Sequence, residues 1–115
     1  MKKIKYSPDA ADKLRALKAE ISAQYGVDKA KQITKAITEE IKGLALFEKK
    51  GPAVVDLFDV VTDYRYLFVS RNYVFYRIEE KYIHIINIYN ERENFMWQLF
   101  GIDTTPQETI EYWDE

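Results

Sequence analysis

Cysteine is absent from this sequence of 115 residues, which excludes disulfides, thiolate metal sites and cysteine nucleophiles and fits a reducing cytosol. Histidine occurs once, at position 84, so a single chain cannot build a multi-histidine metal site. Long apolar runs are missing too: no stretch approaches the ~20 residues needed to span a bilayer. The opening "MKKIKYSPDAADKL" has lysines but no apolar segment, unlike a secretory signal. These absences lead to the expectation of a cytoplasmic protein with no membrane partner, no metal and no cofactor.

What remains is the composition of a folded domain, 47% hydrophobic and 31% charged. A chain of this length can bury roughly two thirds of its unfolded surface, enough for a core without covalent staples. The net charge of −2 hides a division. Residues 1–50 hold twelve Lys/Arg against seven Asp/Glu, whereas residues 51–115 hold five against twelve. The basic half would attract an acidic partner or nucleic acid, and the acidic half would repel phosphate unless its arginines gather.

"KKIKY" alternates polar and apolar residues and reads as a short strand. Ser7 followed by Pro8 is a helix start, because the hydroxyl caps free N–H groups and proline suits the first helical position. Leu14, Leu17, Ile21 and Tyr25 recur at helical spacing up to Gly26, where that helix stops, and Asp28 is placed to cap the next. Ala30, Ile33, Ile37, Ile41 and Leu44 form the stripe of a second helix. One stripe per helix implies an antiparallel hairpin laid on another layer.

Beyond "EKKGP" come four β-rich runs, "AVVDLFDVV", "YRYLFV", "YVFYRI" and "YIHIINIY", with short polar junctions "SRN" and "EEK" between the last three. They predict a meander of antiparallel strands, the last of them central because it is apolar on both faces. "TTPQETIEYW" carries a capping box from Thr105 to Glu108 and predicts a short C-terminal helix. The expected fold class is α+β: an N-terminal strand, an antiparallel two-helix hairpin packed on a three- to four-stranded antiparallel sheet, and that short helix.

This order of elements, together with Tyr64-Arg65-x-Leu67, Asn72-Tyr73-x-x-Tyr76-Arg77, Arg92 and Leu99-Phe100-Gly101, resembles the RelE/ParE superfamily of bacterial toxins from type II toxin–antitoxin systems. The resemblance covers nearly all of residues 1–102 and leaves 103–115 as a C-terminal extension of a single toxin domain, 1–115. It implies a toxin held inactive in a hetero-oligomer by a cognate antitoxin, whose extended segment and helix wrap its surface. It leaves two targets open. The RelE branch cuts messenger RNA on the ribosome, and the ParE branch poisons DNA gyrase and lacks that ribonuclease activity. A third reading is a degenerate or orphan member that serves only as a protein-binding or co-repressor module.

Metal-free RNA cleavage needs a group that activates the 2′-hydroxyl, a donor for the leaving oxygen, and cations on the phosphate. RelE-type enzymes use lysines and arginines on the sheet with an aromatic residue near the C-terminus. By resemblance Arg65 stands where one such lysine is usual and Leu67 where another is. The candidate site residues are Arg65, Arg77, Arg92 and Tyr89. Arg65 and Arg77 are either phosphate clamps, through the two-pronged guanidinium, or cross-strand partners of Asp63, Glu79 or Glu80. Arg92, between Glu91 and Glu93, either contacts a target or the antitoxin or belongs to a salt-bridged helix start. Tyr89 is a stacking platform, a proton donor or a packing residue. His84 reads as a partly buried structural histidine, and "FMWQLF" as core or antitoxin-covered surface. Lys29, Lys31, Lys35 and Lys42 read as a solvated helix face.

Overall fold

The computed structural model describes residues 1–93 and 95–101. Strand β1 (Lys3–Tyr6) leads into helices α1 (Pro8–Tyr25) and α2 (Val27–Gly43) and a short helix α3 (Val54–Phe58). Strands β2 (Arg65–Val69), β3 (Asn72–Ile78) and β4 (Tyr82–Asn90) follow, then helix α4 (Phe95–Phe100). The sheet order is β1-β4-β3-β2. Strands β2, β3 and β4 form the expected antiparallel meander with β4 inside the sheet, and β1 joins the free side of β4 in parallel. The α+β arrangement expected from the sequence is therefore present. The helix expected from Thr105, like the extension 103–115, lies outside the described residues.

Ser7 ties the first strand to the first helix. Its Oγ accepts the Ala10 N–H at 2.9 Å, capping α1, and donates to the Ile86 carbonyl at 2.6 Å. Its own N–H bonds to the Ile85 carbonyl at 3.0 Å. The second bond has a specific reason. Tyr76 pairs with Ile85 and Phe75 with Asn87, so Ile86 is the extra residue of a β-bulge and has no partner on β3. One hydroxyl thus satisfies a helix terminus and a bulge carbonyl. Ser7→Ala removes both, and we expect a loss of about 2 kcal/mol in urea unfolding; a loss under ~0.5 kcal/mol would show that neither bond matters.

Two local expectations need correction. Asp28 does not cap α2. Gly26, at φ 95°, is the N-cap: its N–H closes α1 on the Ser22 carbonyl at 3.1 Å and its carbonyl accepts the Ala30 N–H at 3.2 Å. A single left-handed glycine ends one helix and starts the next, so Asp28 falls inside the first turn. The run "AVVDLFDVV" is not a strand either, since residues Val54–Phe58 form α3. Val54 and Phe58, four apart, turn onto the sheet, while Val55 and Leu57 stay exposed and Asp59 ends the turn at φ 54°. A short apolar run shows no period long enough to separate helix from strand.

The sheet is covered on both faces. On one, α1 and α2 place Ala10, Ile37, Ile41 and Leu44 against Leu67, Val74, Tyr76, Ile83, Ile85 and Ile88. On the other, α3 and α4 place Val54, Phe58, Phe95, Leu99 and Phe100 over Tyr66, Tyr73, Phe75 and Tyr89. This second core is aromatic. Phe95 lies 4.8 Å from Tyr73, 5.2 Å from Phe58 and 5.5 Å from Phe75, measured between ring centroids. "FMWQLF" is thus a helix whose Phe95, Leu99 and Phe100 pack on the sheet.

Candidate functional site

The four residues nominated from the sequence do not converge. Register places Arg65 opposite Tyr76 and Arg77 opposite His84 at one end of the sheet, and Tyr73 opposite Tyr89 toward the other. Arg77 lies four positions along β3 from Tyr73, about 13 Å at strand rise. Side chains alternate, so Arg65 shares the helix-covered face with Tyr76, and Arg77 shares the aromatic face with Phe75.

Each of the two strand arginines is already engaged. The Arg65 guanidinium donates to the Gly51 carbonyl at 2.7 Å, holding the loop after α2 to the sheet. Arg77 donates from Nη2 to Asp63 Oδ2 at 2.8 Å, the cross-strand option named above. Beside it His84, part-buried, has Nδ1 3.3 Å from Glu79 Oε2. Leu67 is buried in the helix-side core.

At the other end, Tyr89 is buried at 3% exposure within the aromatic core, and its hydroxyl accepts from Asn87 Nδ2 at 2.9 Å. Burial raises its pKa, opposed by the Asn87 hydrogen bond and reinforced by Glu93 and Asp9. A phenol pushed upward from 10 is a weaker acid and so a poorer proton donor. Burial likewise raises Tyr76 and Tyr6. The folded state therefore favours the neutral phenols. That stability is whole below the ordinary value near 10, and it is lost as pH climbs from there through the raised folded values. We expect urea midpoints to be flat from about pH 8 to 9.5 and to fall steeply above ~10.5, with these tyrosines the last to ionise by absorbance. A flat profile to pH 11.5 would contradict it.

Arg92 stands apart. The chain after β4 folds into a turn in which Asn90 Oδ1 accepts the Arg92 N–H at 3.0 Å and Glu93 N–H bonds the Asn90 carbonyl at 3.0 Å. Its flanking carboxylates are taken by other cations: Glu91 by Arg71 at 3.0 Å, and Glu93 by Lys13 at 2.5 Å. Arg92 itself is exposed and makes no salt bridge among the described residues. It lines a cleft of about 610 Å³ between α1 and the strand ends, floored by Leu17, Ile21, Ile33 and Ile88. Lys13, which no motif singles out, forms part of this rim, and its Nζ lies 4.9 Å from the Tyr89 ring centroid. Arg71 joins the rim from the β2–β3 turn, where Ser70 and Arg71 both hold positive φ, 50° and 64°. That pair of left-handed residues makes the two-residue connection between Val69 and Asn72.

What this arrangement offers chemically is contact. An apolar floor with alternating cations and carboxylates on its rim can seat a protein surface. No helix of the described residues is long and apolar enough to cross a membrane. Among curated proteins no sequence match is found. Among solved structures, the chromosomal ParDE TA system from P. aeruginosa contains a chain that matches with a TM-score of 0.67 at 24% identity, covering 78% of this chain and 96% of that one. A likeness at that identity speaks for the fold. The family model for the ParE toxin of the type II toxin–antitoxin system parDE matches residues 4–95, which run from β1 through α1, α2 and α3 to the end of β4. The chain belongs to the ParE toxin family, within the RelE/ParE superfamily.

Proposed function

We propose that this toxin stops growth by binding DNA gyrase rather than by cutting messenger RNA, and that a cognate antitoxin neutralises it in a hetero-complex. The observation that carries this reading is the dispersal of its cations. A phosphate in the transition state of RNA cleavage needs its donors within about 3 Å of the same oxygens. Arg65 and Arg77 lie on opposite faces with their guanidiniums bonded to Gly51 and Asp63, and Arg92 is at the far end of the sheet. Protein contact asks for no such convergence. An exposed arginine on the rim of an apolar cleft, with no salt bridge among the described residues, suits an interface anchor.

Messenger cleavage has one observation in its favour: Arg77 and His84 are register partners, with Glu79 against the imidazole. Induced expression separates the two. On the gyrase reading DNA synthesis stops before translation, and purified gyrase with the toxin accumulates broken DNA while messages stay whole. Arg92→Ala should weaken the effect about tenfold without moving the melting temperature, and His84→Ala should leave it intact. Translation halting first, with cut messages that disappear in His84→Ala, would replace this reading with the nuclease.

A further inference from the structure

Helices α3 and α4 cover the aromatic face of the sheet at one end. At the other end, register sets Arg77 beside His84, His84 beside Lys5, and Tyr82 beside Lys3, all on that same face. Lys3 and Lys5 are exposed, Tyr82 is 39% exposed, and the Lys5 Nζ lies 5.6 Å from the centroid of the Tyr82 ring. Of the nearby carboxylates, Asp63 and Glu79 already face Arg77 and His84, and Glu80 adjoins Lys81 in the turn. Lys3 and Lys5 have no carboxylate partner among the described residues. The buried Nε of Arg77 likewise has no acceptor among them. This end of the face is therefore basic, partly aromatic and uncovered by any described element.

Helix α4 delivers the chain to this place. The Phe100 ring lies 6.1 Å from that of Tyr64, one step beyond the Arg65–Tyr76 pair and toward Arg77. Gly101 follows at φ 70°, the left-handed conformation that ends a helix and redirects the chain. Fourteen residues remain, 102–115. They hold five carboxylates, Asp103, Glu108, Glu111, Asp114 and Glu115, and no Lys, Arg or His. Residues 1–101 hold seventeen Lys/Arg against fourteen Asp/Glu, a net +3, so this segment alone brings the chain to −2. Tyr112 and Trp113 add apolar surface suited to Tyr82 and the lysine stems. From Tyr64 to Lys5 is three strand spacings, about 14 Å, and fourteen extended residues reach about 46 Å. We infer that segment 102–115 docks on this end of its own sheet, with carboxylates beside Lys3, Lys5 and Arg77 and aromatic side chains against Tyr82. Weak contacts suffice, because a short tether supplies an effective concentration of about millimolar. Seated there, the segment would hold phosphate away from Arg77 and His84. The inference is independent of which target the toxin attacks.

The chain has no cysteine, so Glu115→Cys gives a single attachment point for a nitroxide on the full-length protein. We expect the label to broaden the amide resonances of residues 3–5, 77 and 82–84 and to spare those of residues 20–40 in the helical hairpin. About 1 M salt, which shortens the screening length to roughly 3 Å, should weaken the broadening. Lys3→Glu with Lys5→Glu, both exposed, should remove it, and so should Glu108→Lys with Glu111→Lys. The four changes together bring opposite charges back into apposition and should restore it. The segment variant alters nothing in residues 1–101, so its result stands even where the strand variant fails to fold. Broadening centred elsewhere, persistence through both charge reversals, or no broadening at all would overturn the inference. So would equal broadening with label and isotope on separate molecules, which marks a contact between copies. Growth arrest bears on the target reading alone, so either idea can fail without the other.

Discussion

Gly51→Ala should destabilise this protein as much as a core truncation does, lowering its stability by about 3 kcal/mol or more and its melting temperature by roughly 15 °C. The reason is space rather than backbone angle. A Cβ on Gly51 would sit 2.1 Å from the Tyr66 carbonyl oxygen and 2.9 Å from both the Tyr66 carbonyl carbon and the Tyr76 hydroxyl. Two of those three atoms are backbone within the sheet and cannot rotate away. Retreat of the loop would break what Gly51 anchors: its N–H bonds the Tyr76 hydroxyl at 3.0 Å, and its carbonyl accepts Arg65 at 2.7 Å. The neighbouring Pro52 carbonyl accepts the Tyr66 N–H at 3.1 Å. Gly43→Ala is the control. Nothing lies within 4 Å of a Cβ there, at the last residue of α2, and the change should be neutral or slightly stabilising. Thermal unfolding followed by circular dichroism decides it, and a drop under ~3 °C for Gly51→Ala would refute the close approach.

Phe75→Ala is expected to cost about 4 kcal/mol. Phe75 is fully buried, and its ring lies 5.5 to 6.5 Å from those of Phe58, Tyr73, Tyr89, Phe95 and Phe100. Its removal leaves a cavity beneath both α3 and α4. Those helices have five and six residues, too short to persist without the surface they cover. Hydrogen exchange should therefore accelerate in 54–58 and 95–100 well before it does in α1 or α2. Phe68→Ala, at a ring half exposed on the same face, should change stability by less than about 1 kcal/mol. Uniform acceleration over the whole chain would mean that the aromatic layer does not open separately.

The two long helices could be read from the chain because their cues are local. Ser7-Pro8 starts one, Gly26 ends it, and Ile33, Ile37 and Ile41 repeat at the helical period in the other. The meander could be read from its β-branched and aromatic runs. What could not be read depends on partners distant in sequence. Nothing in "KKIKY" says that it pairs with β4, seventy-nine residues on, and in parallel. The two-residue turn at Ser70-Arg71 lacks the Asn-Gly that usually announces one. The site was legible in part. Arg77 with Asp63 was among the pairings expected, and Arg92 at the end of β4 was correctly placed. The attachment of Arg65 to a backbone carbonyl and the burial of Tyr89 were not, because a carbonyl partner leaves no trace in composition and strand-end tyrosines face either way.

The turn between β2 and β3 has a consequence for how this protein would change under selection. Left-handed backbone at Ser70 and Arg71 costs about 1 kcal/mol or more at each non-glycine residue. A library screened only for heat resistance should therefore collect Ser70→Asn and Arg71→Gly. The same exchange would erase the Arg71–Glu91 pair and one of three cations on the cleft rim. A library screened for growth arrest should keep arginine at 71, so that the two searches, begun from the same gene, part company at a single hairpin.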